Sequence, residues 1–237
     1  MPRTHFAPIA VVLSSALALA GCSGGEDQAA PEWTESAVEA APEIPVMGRE
    51  IPVLAIGDSL LTGYGLEEGE SYPSKLEAAL RARGINARIA NAGVSGDTTA
   101  GGLQRLEFAL DNQARPPELV IISLGGNDML RGLSPDQTRA NLDAMLSILR
   151  DRNIPVLLLG MLAAPNLGED YAKSFNPIYP ALARKHDAGL VPFFLQPLME
   201  RPDLVQEDHI HPTAVGIEML VADSIDEVIR KLPKSAT

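Results

Sequence analysis

From Ile51 to Leu232 the chain repeats one pattern: a short apolar run, a turn rich in Gly and small polar residues, then an amphipathic segment. That alternation constrains the fold more than any other feature, because strands alternating with helices close into a parallel sheet covered by helices. The apolar runs are Ile51–Ile56, Ala87–Asn91, Leu119–Leu124, Val156–Gly160 and Leu190–Phe194. The third, LVIISL, is unbroken, as a strand buried on both faces requires. Helical spacing predicts helices over Ser71–Arg83, Thr98–Leu110, Ser134–Arg150 and Thr213–Leu232, with Asp170–His186 helical but interrupted at Pro177 and Pro180. In the first of these Ser71 offers an N-cap, Pro73 is tolerated in the opening turn and Gly84 marks the stop. The expected fold class is α/β: a single-domain three-layer α/β/α architecture on a flavodoxin-like parallel sheet of about five strands.

What precedes this body reads as an address. Arg3 and the terminal amine open the chain, an apolar run covers Ala7 to Ala20, and Leu19-Ala20-Gly21-Cys22 closes it. That is an export signal, too short for a comfortable membrane span. Its ending resembles a bacterial lipobox, which implies cleavage before Cys22 and lipidation of that thiol. Cys22 is the sole cysteine, so no internal disulfide framework and no Cys-rich zinc module exists. Residues 23–49 carry six acids against one base and read as a solvated acidic tether to residues 50–237. The expected location is the periplasmic side, on a membrane through the lipid anchor, with Ser23 pointing to the outer membrane. The body from Glu50 holds 17 bases and 25 acids, a net charge of −8, which disfavours a nucleic-acid partner. No obligate protein partner is evident.

Right-handed crossovers bring every strand's C-terminal end to one edge of the sheet, where ligands of such folds bind. Three Gly-rich turns converge there: Gly57-Asp58-Ser59, Gly93 to Asp97, and Gly125-Gly126-Asn127-Asp128. Together they hold the parts of an acyl-transfer site. Ser59 is positioned to attack a carbonyl carbon. The N–H groups of Ser59 and Gly96 and the side-chain amide of Asn127 are positioned to hold the oxyanion. A serine hydroxyl needs a base. Of four histidines, His5 lies in the signal and His186 reads as a solvated residue at a charged helix end. That leaves Asp208-His209-Ile210-His211-Pro212, where Asp208 precedes His211 by three residues, enough for its carboxylate to reach Nδ1 and leave Nε2 for Ser59. Pro212 is expected to open the last helix and pin His211 at its boundary.

Other readings of the same residues stand beside this one. Ser59 alone suits a cap, Asn127 a turn, and Asp58, Asp97 and Asp128 caps or loop acceptors. Ser95 is a rival nucleophile, but no G-x-S-x-G elbow occurs. His209 and His211 form an H-x-H pair that, with Glu207 or Asp208, suits a metallohydrolase, for which His186 is the only further imidazole. A non-catalytic module binding a phosphate or nucleotide through the same loops is also possible, although the three turns contain no Lys or Arg. Leu60, Leu61, Ala163, Ala164 and Pro165 are candidates for an acyl groove.

Four blocks carry a resemblance: GDSLLTGYG at Gly57–Gly65, NAGVSGDTTAGGLQRL at Asn91–Leu106, GGNDMLRG at Gly125–Gly132 and DHIHP at Asp208–Pro212. In this order and spacing they resemble the SGNH, or GDSL, hydrolases. The tract Phe175–Leu195 is similar to the bacterial branch of arylesterases and thioesterase/lysophospholipases. The resemblance implies a serine ester hydrolase without metal or cofactor. Ser59 would be nucleophile, Asp208 and His211 the rest of a triad, and Ser59, Gly96 and Asn127 the oxyanion donors. Its implied substrates are small-molecule or lipid esters, whether aryl, lysophospholipid or thioesters.

Overall fold

A computed structural model describes residues 46–234, so the signal, Cys22 and most of the acidic stretch lie outside the described residues. Five parallel strands form one sheet in the order β2-β1-β3-β4-β5. They are β1 (Ile51–Gly57), β2 (Ala87–Gly93), β3 (Leu119–Ser123), β4 (Val156–Leu159) and β5 (Gly189–Val191). Every residue of β3 and β4 is buried, as an inner strand's unbroken apolar run demands, whereas the edge strand β2 is only partly covered.

The chain leaves β1 for β2 on one side and returns to β3 on the other, so the sheet's topological switch lies beside β1. The reversal also sends right-handed crossover helices to opposite faces. On one face α2 (Tyr72–Ala82) packs against α8 (Ala214–Lys231), tied by the hydroxyls of Tyr72 and Ser224 at 2.7 Å. On the other, α3 (Thr99–Asp111), α5 (Pro135–Asp151) and α7 (Ile178–His186) pack side by side. The three-layer expectation therefore stands. Arg49 pairs with Glu118 and the Asn86 amide donates to the Gly48 carbonyl, so contacts with the body begin before residue 50.

The structure departs from the sequence expectations in several places. Two short helices, α1 (Ser59–Thr62) and α4 (Gly126–Leu130), occupy what read as open turns after β1 and β3. β5 is three residues rather than five, because the backbone beyond Val191 turns back so that the Gly160 carbonyl accepts from the Phe194 N–H. The Asp170–His186 segment splits into α6 (Glu169–Phe175) and α7 around Asn176-Pro177. Pro180 falls in the first turn of α7, where a missing N–H leaves no bond unmade. His186 is not solvated: its ring is buried, and Nε2 lies 2.6 Å from Asp143 of α5. Pro212 does not open α8. It pairs with Val205 in an isolated antiparallel bridge, and Thr213 caps the helix by accepting from the Gly216 N–H at 3.1 Å.

Candidate active site

Ser59 is the first residue of α1, directly after the end of β1. Asp58 caps that helix, its Oδ1 accepting from the Leu60 N–H at 3.1 Å. The turn is possible because residue 57 lacks a side chain. A Cβ there would stand 2.6 Å from Leu61 Cδ1 and 2.7 Å from the Ser123 carbonyl.

The strand-edge arrangement brings His211 to Ser59 across 152 residues of sequence. His211 Nε2 lies 2.8 Å from Ser59 Oγ, and Nδ1 lies 2.5 Å from Asp208 Oδ2. The other carboxylate oxygen accepts from the Ile210 and His211 N–H groups at 2.9 and 3.0 Å. The His211 N–H foremost, then its imidazole and the Ile210 N–H, lower the Asp208 pKa to about 2. Asp208 is therefore an anion at any pH near neutrality, and an anion at Nδ1 favours the tautomer that leaves Nε2 a free acceptor.

Gly96 and Asn127 reach the same cleft. Gly96 has φ +80°, a left-handed conformation that favours glycine, and its carbonyl accepts from the Arg131 guanidinium at 2.6 Å. Among the described residues neither its N–H nor that of Ser59 meets an acceptor. Asn127 donates one of its two amide protons to Asp58 Oδ2 at 3.1 Å, leaving the second for a ligand. Gly125, with φ +113°, opens α4, where a Cβ would collide with the Tyr179 hydroxyl at 2.2 Å.

The flanking acids anchor the loops. Asp128 is buried and accepts from Thr99 N at 2.8 Å, from the Thr99 hydroxyl and from the Thr138 hydroxyl, joining α4 to α3 and α5. Asp97 accepts from Arg105 Nε at 2.7 Å, and Arg105 donates further to the Ala92 and Gly57 carbonyls. The turns themselves contain no cations, but the fold brings Arg105 and Arg131 in from neighbouring helices. Both are directed onto backbone carbonyls rather than into a ligand site. Neither was visible as a site residue, since the Gly57 and Gly96 carbonyls they reach lie 48 and 35 residues away in sequence.

Asp58 combines two tasks. Burial raises its carboxyl to about 6 against an ordinary value of 3.8, despite the Leu60 N–H, the Asn127 amide and His211, which all lower it. The folded state thus favours the protonated form, so Asp58 supports stability below pH 4 and withdraws that support as pH rises through about 6. The cost of ionising it corresponds to about 3 kcal/mol. Asp58→Asn is expected to remove that decline in the denaturation midpoint between pH 4 and 6. The same variant is expected to lower turnover, because an amide facing the Asn127 amide forces one of the two to reverse. An unchanged pH dependence of the midpoint contradicts this account of the buried charge.

The cleft has a volume of about 480 Å³ and is walled by Leu60, Met129, Leu130, Met161, Leu195 and Ile210. Of the five expected groove residues only Leu60 lines it. Leu61 is sealed in the core, and Ala163, Ala164 and Pro165 do not line the cleft, although the Ala164 N–H donates to the Sδ of the wall residue Met129 at 3.2 Å. His209 sits exposed on its rim with φ +59°. Among the described residues no group of three His, Cys, Asp or Glu is arranged to hold a metal. Both nitrogens of His211 already face Ser59 and Asp208, so the H-x-H pair does not act as a bidentate ligand here.

A flavodoxin-like sheet, a hydroxyl against an imidazole, and an apolar cleft flanked by spare N–H donors together suit the hydrolysis of an acyl ester. Comparison with known proteins makes the assignment specific. The chain belongs to the GDSL-like Lipase/Acylhydrolase family, whose profile matches residues 55–218. It is 39% identical over 180 residues to the Arylesterase of Vibrio mimicus, covering 76% of this chain and 89% of that one. It is 36% identical over 160 residues to the Thioesterase 1/protease 1/lysophospholipase L1 of Escherichia coli K12, covering 68% of this chain and 74% of that one. Among solved structures, AlinE4, an SGNH-hydrolase family esterase, superposes with a TM-score of 0.67 at 60% identity, covering 79% of this chain and 99% of the other.

Proposed function

We propose that the protein hydrolyses acyl esters through an acyl-Ser59 intermediate. The supporting observation is the unbroken relay Ser59 Oγ–His211–Asp208, at 2.8 and 2.5 Å. In this reading His211 Nε2 takes the hydroxyl proton as Ser59 Oγ bonds to the substrate carbonyl carbon, and Asp208 holds the imidazolium that forms. Electron density moves onto the carbonyl oxygen, met by the Ser59 and Gly96 N–H groups and the second Asn127 amide proton. His211 returns its proton to the leaving alcohol or thiol as the tetrahedral carbon collapses. Water, deprotonated by the same nitrogen, then releases the acid and restores Ser59.

The cleft's apolar wall suits an acyl chain, and its exposed mouth accommodates varied leaving groups. The arylesterase and thioesterase/lysophospholipase relatives support aryl, lysophospholipid and thioester substrates for this chain as well. Incubation with a fluorophosphonate, followed by peptide mapping, tests the reading. The adduct is expected on Ser59, and an adduct on Ser95 instead overturns the assignment. The same proposal includes export and lipidation at Cys22, supported by the sequence around it. Radiolabelled fatty acid is expected to mark the wild-type chain in a bacterial host and not Cys22→Ser. Equal labelling of both rejects the anchor.

A further inference from the structure

Gln206 joins the loop that carries Asp208 and His211 to the segment that carries Ser59 by hydrogen bonds. Its amide donates both protons, one to the Tyr64 carbonyl and one to the Pro212 carbonyl, each at 2.8 Å. Its backbone N–H donates to the His211 carbonyl at 2.7 Å. On the other side of this bridge the Tyr64 N–H donates to the Ser59 carbonyl at 3.4 Å, and the Gly63 N–H does the same. The Tyr64 ring in turn lies over the His211 imidazole, with centroids 4.4 Å apart and planes inclined by 35°. A primary amide has two donors and both are used here, so its position is fixed from two directions. The neighbouring backbone is shaped to admit it. Gly65 has φ +72°, and a Cβ at that position would stand 2.3 Å from Gln206 Oε1.

We propose that Gln206 is a positioning residue that sets the separation and angle between the Ser59 hydroxyl and the His211 imidazole. The inference rests on the reading of Ser59 and His211 as the reacting pair. Asp208 fixes which way the imidazole ring faces, but it lies on the same short loop as His211 and cannot hold that loop against Ser59. The loop's other ties, the Val205–Pro212 bridge, the Asp208 carboxylate and the His209 N–H to the Gln206 carbonyl, run within the loop and its stem and do not reach the Ser59 segment. Gln206 supplies that link: it ties the loop to the Tyr64 carbonyl, and the Tyr64 N–H is hydrogen-bonded in turn to the Ser59 carbonyl. Misplacement of a reacting group by about 1 Å costs on the order of 10²-fold in rate.

Gln206→Met keeps the length of the side chain and removes both donors; Tyr64, whose carbonyl it leaves, is exposed, whereas Pro212 is buried, so thermal unfolding is recorded beside the kinetics. In this variant kcat on a short-chain aryl ester is expected to fall between about 10- and 10²-fold. KM is expected to stay within about twofold and the rate of fluorophosphonate labelling to fall in parallel with kcat. A wild-type kcat, or a raised KM at unchanged kcat, overturns the proposal, the second because it marks a support for the cleft rather than for the pair. Gly65→Ala, which displaces the amide without removing it, is expected to lose kcat alone and to lose less when combined with Gln206→Met. Additive losses count against the clamp. If Gln206→Met loses its cooperative unfolding transition, Gly65→Ala carries the test with the same two outcomes for kcat and KM. His211→Ala, measured alongside, separates the two levels. Retained activity there removes the underlying reading, whereas an inactive His211→Ala beside a fully active Gln206→Met removes only the clamp.

Discussion

Replacing Ser59 by Ala is expected to lower kcat for ester hydrolysis by roughly 10⁴- to 10⁶-fold, because no other group can take over its bond to carbon. Ser95 is the other serine that lines the cleft, but its Oγ is bonded to the Thr62 hydroxyl at 3.1 Å rather than to an imidazole. Without a base it remains a weak nucleophile at neutral pH. The substitution removes one oxygen from the start of α1 and leaves the Asp58 cap and the Gly57 turn untouched, so the fold and the cleft should persist. Steady-state kinetics on p-nitrophenyl esters, with circular dichroism as a check on folding, measures this. Activity within tenfold of wild type would falsify the covalent route.

Asp208→Asn is the second large effect, expected at roughly 10³- to 10⁴-fold in kcat. The argument is one of proton placement. The Asn side-chain oxygen can still accept from the Ile210 and His211 N–H groups, so the loop keeps its shape. Its NH₂ then faces His211 Nδ1 and forces that nitrogen to be the acceptor. The proton moves to Nε2, which now donates to Ser59 Oγ and can no longer take its hydrogen. Asp208→Ala, which imposes no tautomer, is expected to retain more activity than Asp208→Asn. That ranking is informative, since a purely structural role for Asp208 makes Ala the worse of the two. The carboxylate's low pKa adds a condition on pH. With a value of about 2, Asp208 contributes to the fold fully above the ordinary carboxyl range near 3.8 and loses that contribution only as pH falls through about 2. Any loss of activity between pH 4 and 7 therefore has its origin elsewhere in the site.

The strands were legible because apolar runs bounded by Gly and Pro leave few alternatives, and the parallel order followed from the helices between them. The convergence of the Ser59, Gly96 and Asn127 turns was legible for the same reason, since crossover handedness fixes where strand ends meet. Asp208 and His211 were legible as a local pair because three residues separate them. The contacts that do not follow from local pattern were invisible. Gln206 reaches Tyr64 across 142 residues, and Arg131 reaches the Gly96 carbonyl across 35. The burial of His186 depends on Asp143 of α5, whereas its own neighbours, Arg184, Lys185 and Asp187, read as solvent-facing. The cleft wall was misread for a related reason. Leu61 lies one residue from the lining Leu60, but on α1 that step rotates a side chain from the cleft into the core.

The ends of β1 place two events on opposite rims of the molecule. The chain enters at Arg49, latched to Glu118 where the strand begins, and the reacting hydroxyl follows where it finishes, a strand length of seven residues away, about 20 Å. A resin, electrode or carrier coupled through Met47→Cys, an exposed position beside Arg49, would therefore attach at the rear of the catalyst and leave its entrance open to incoming ester.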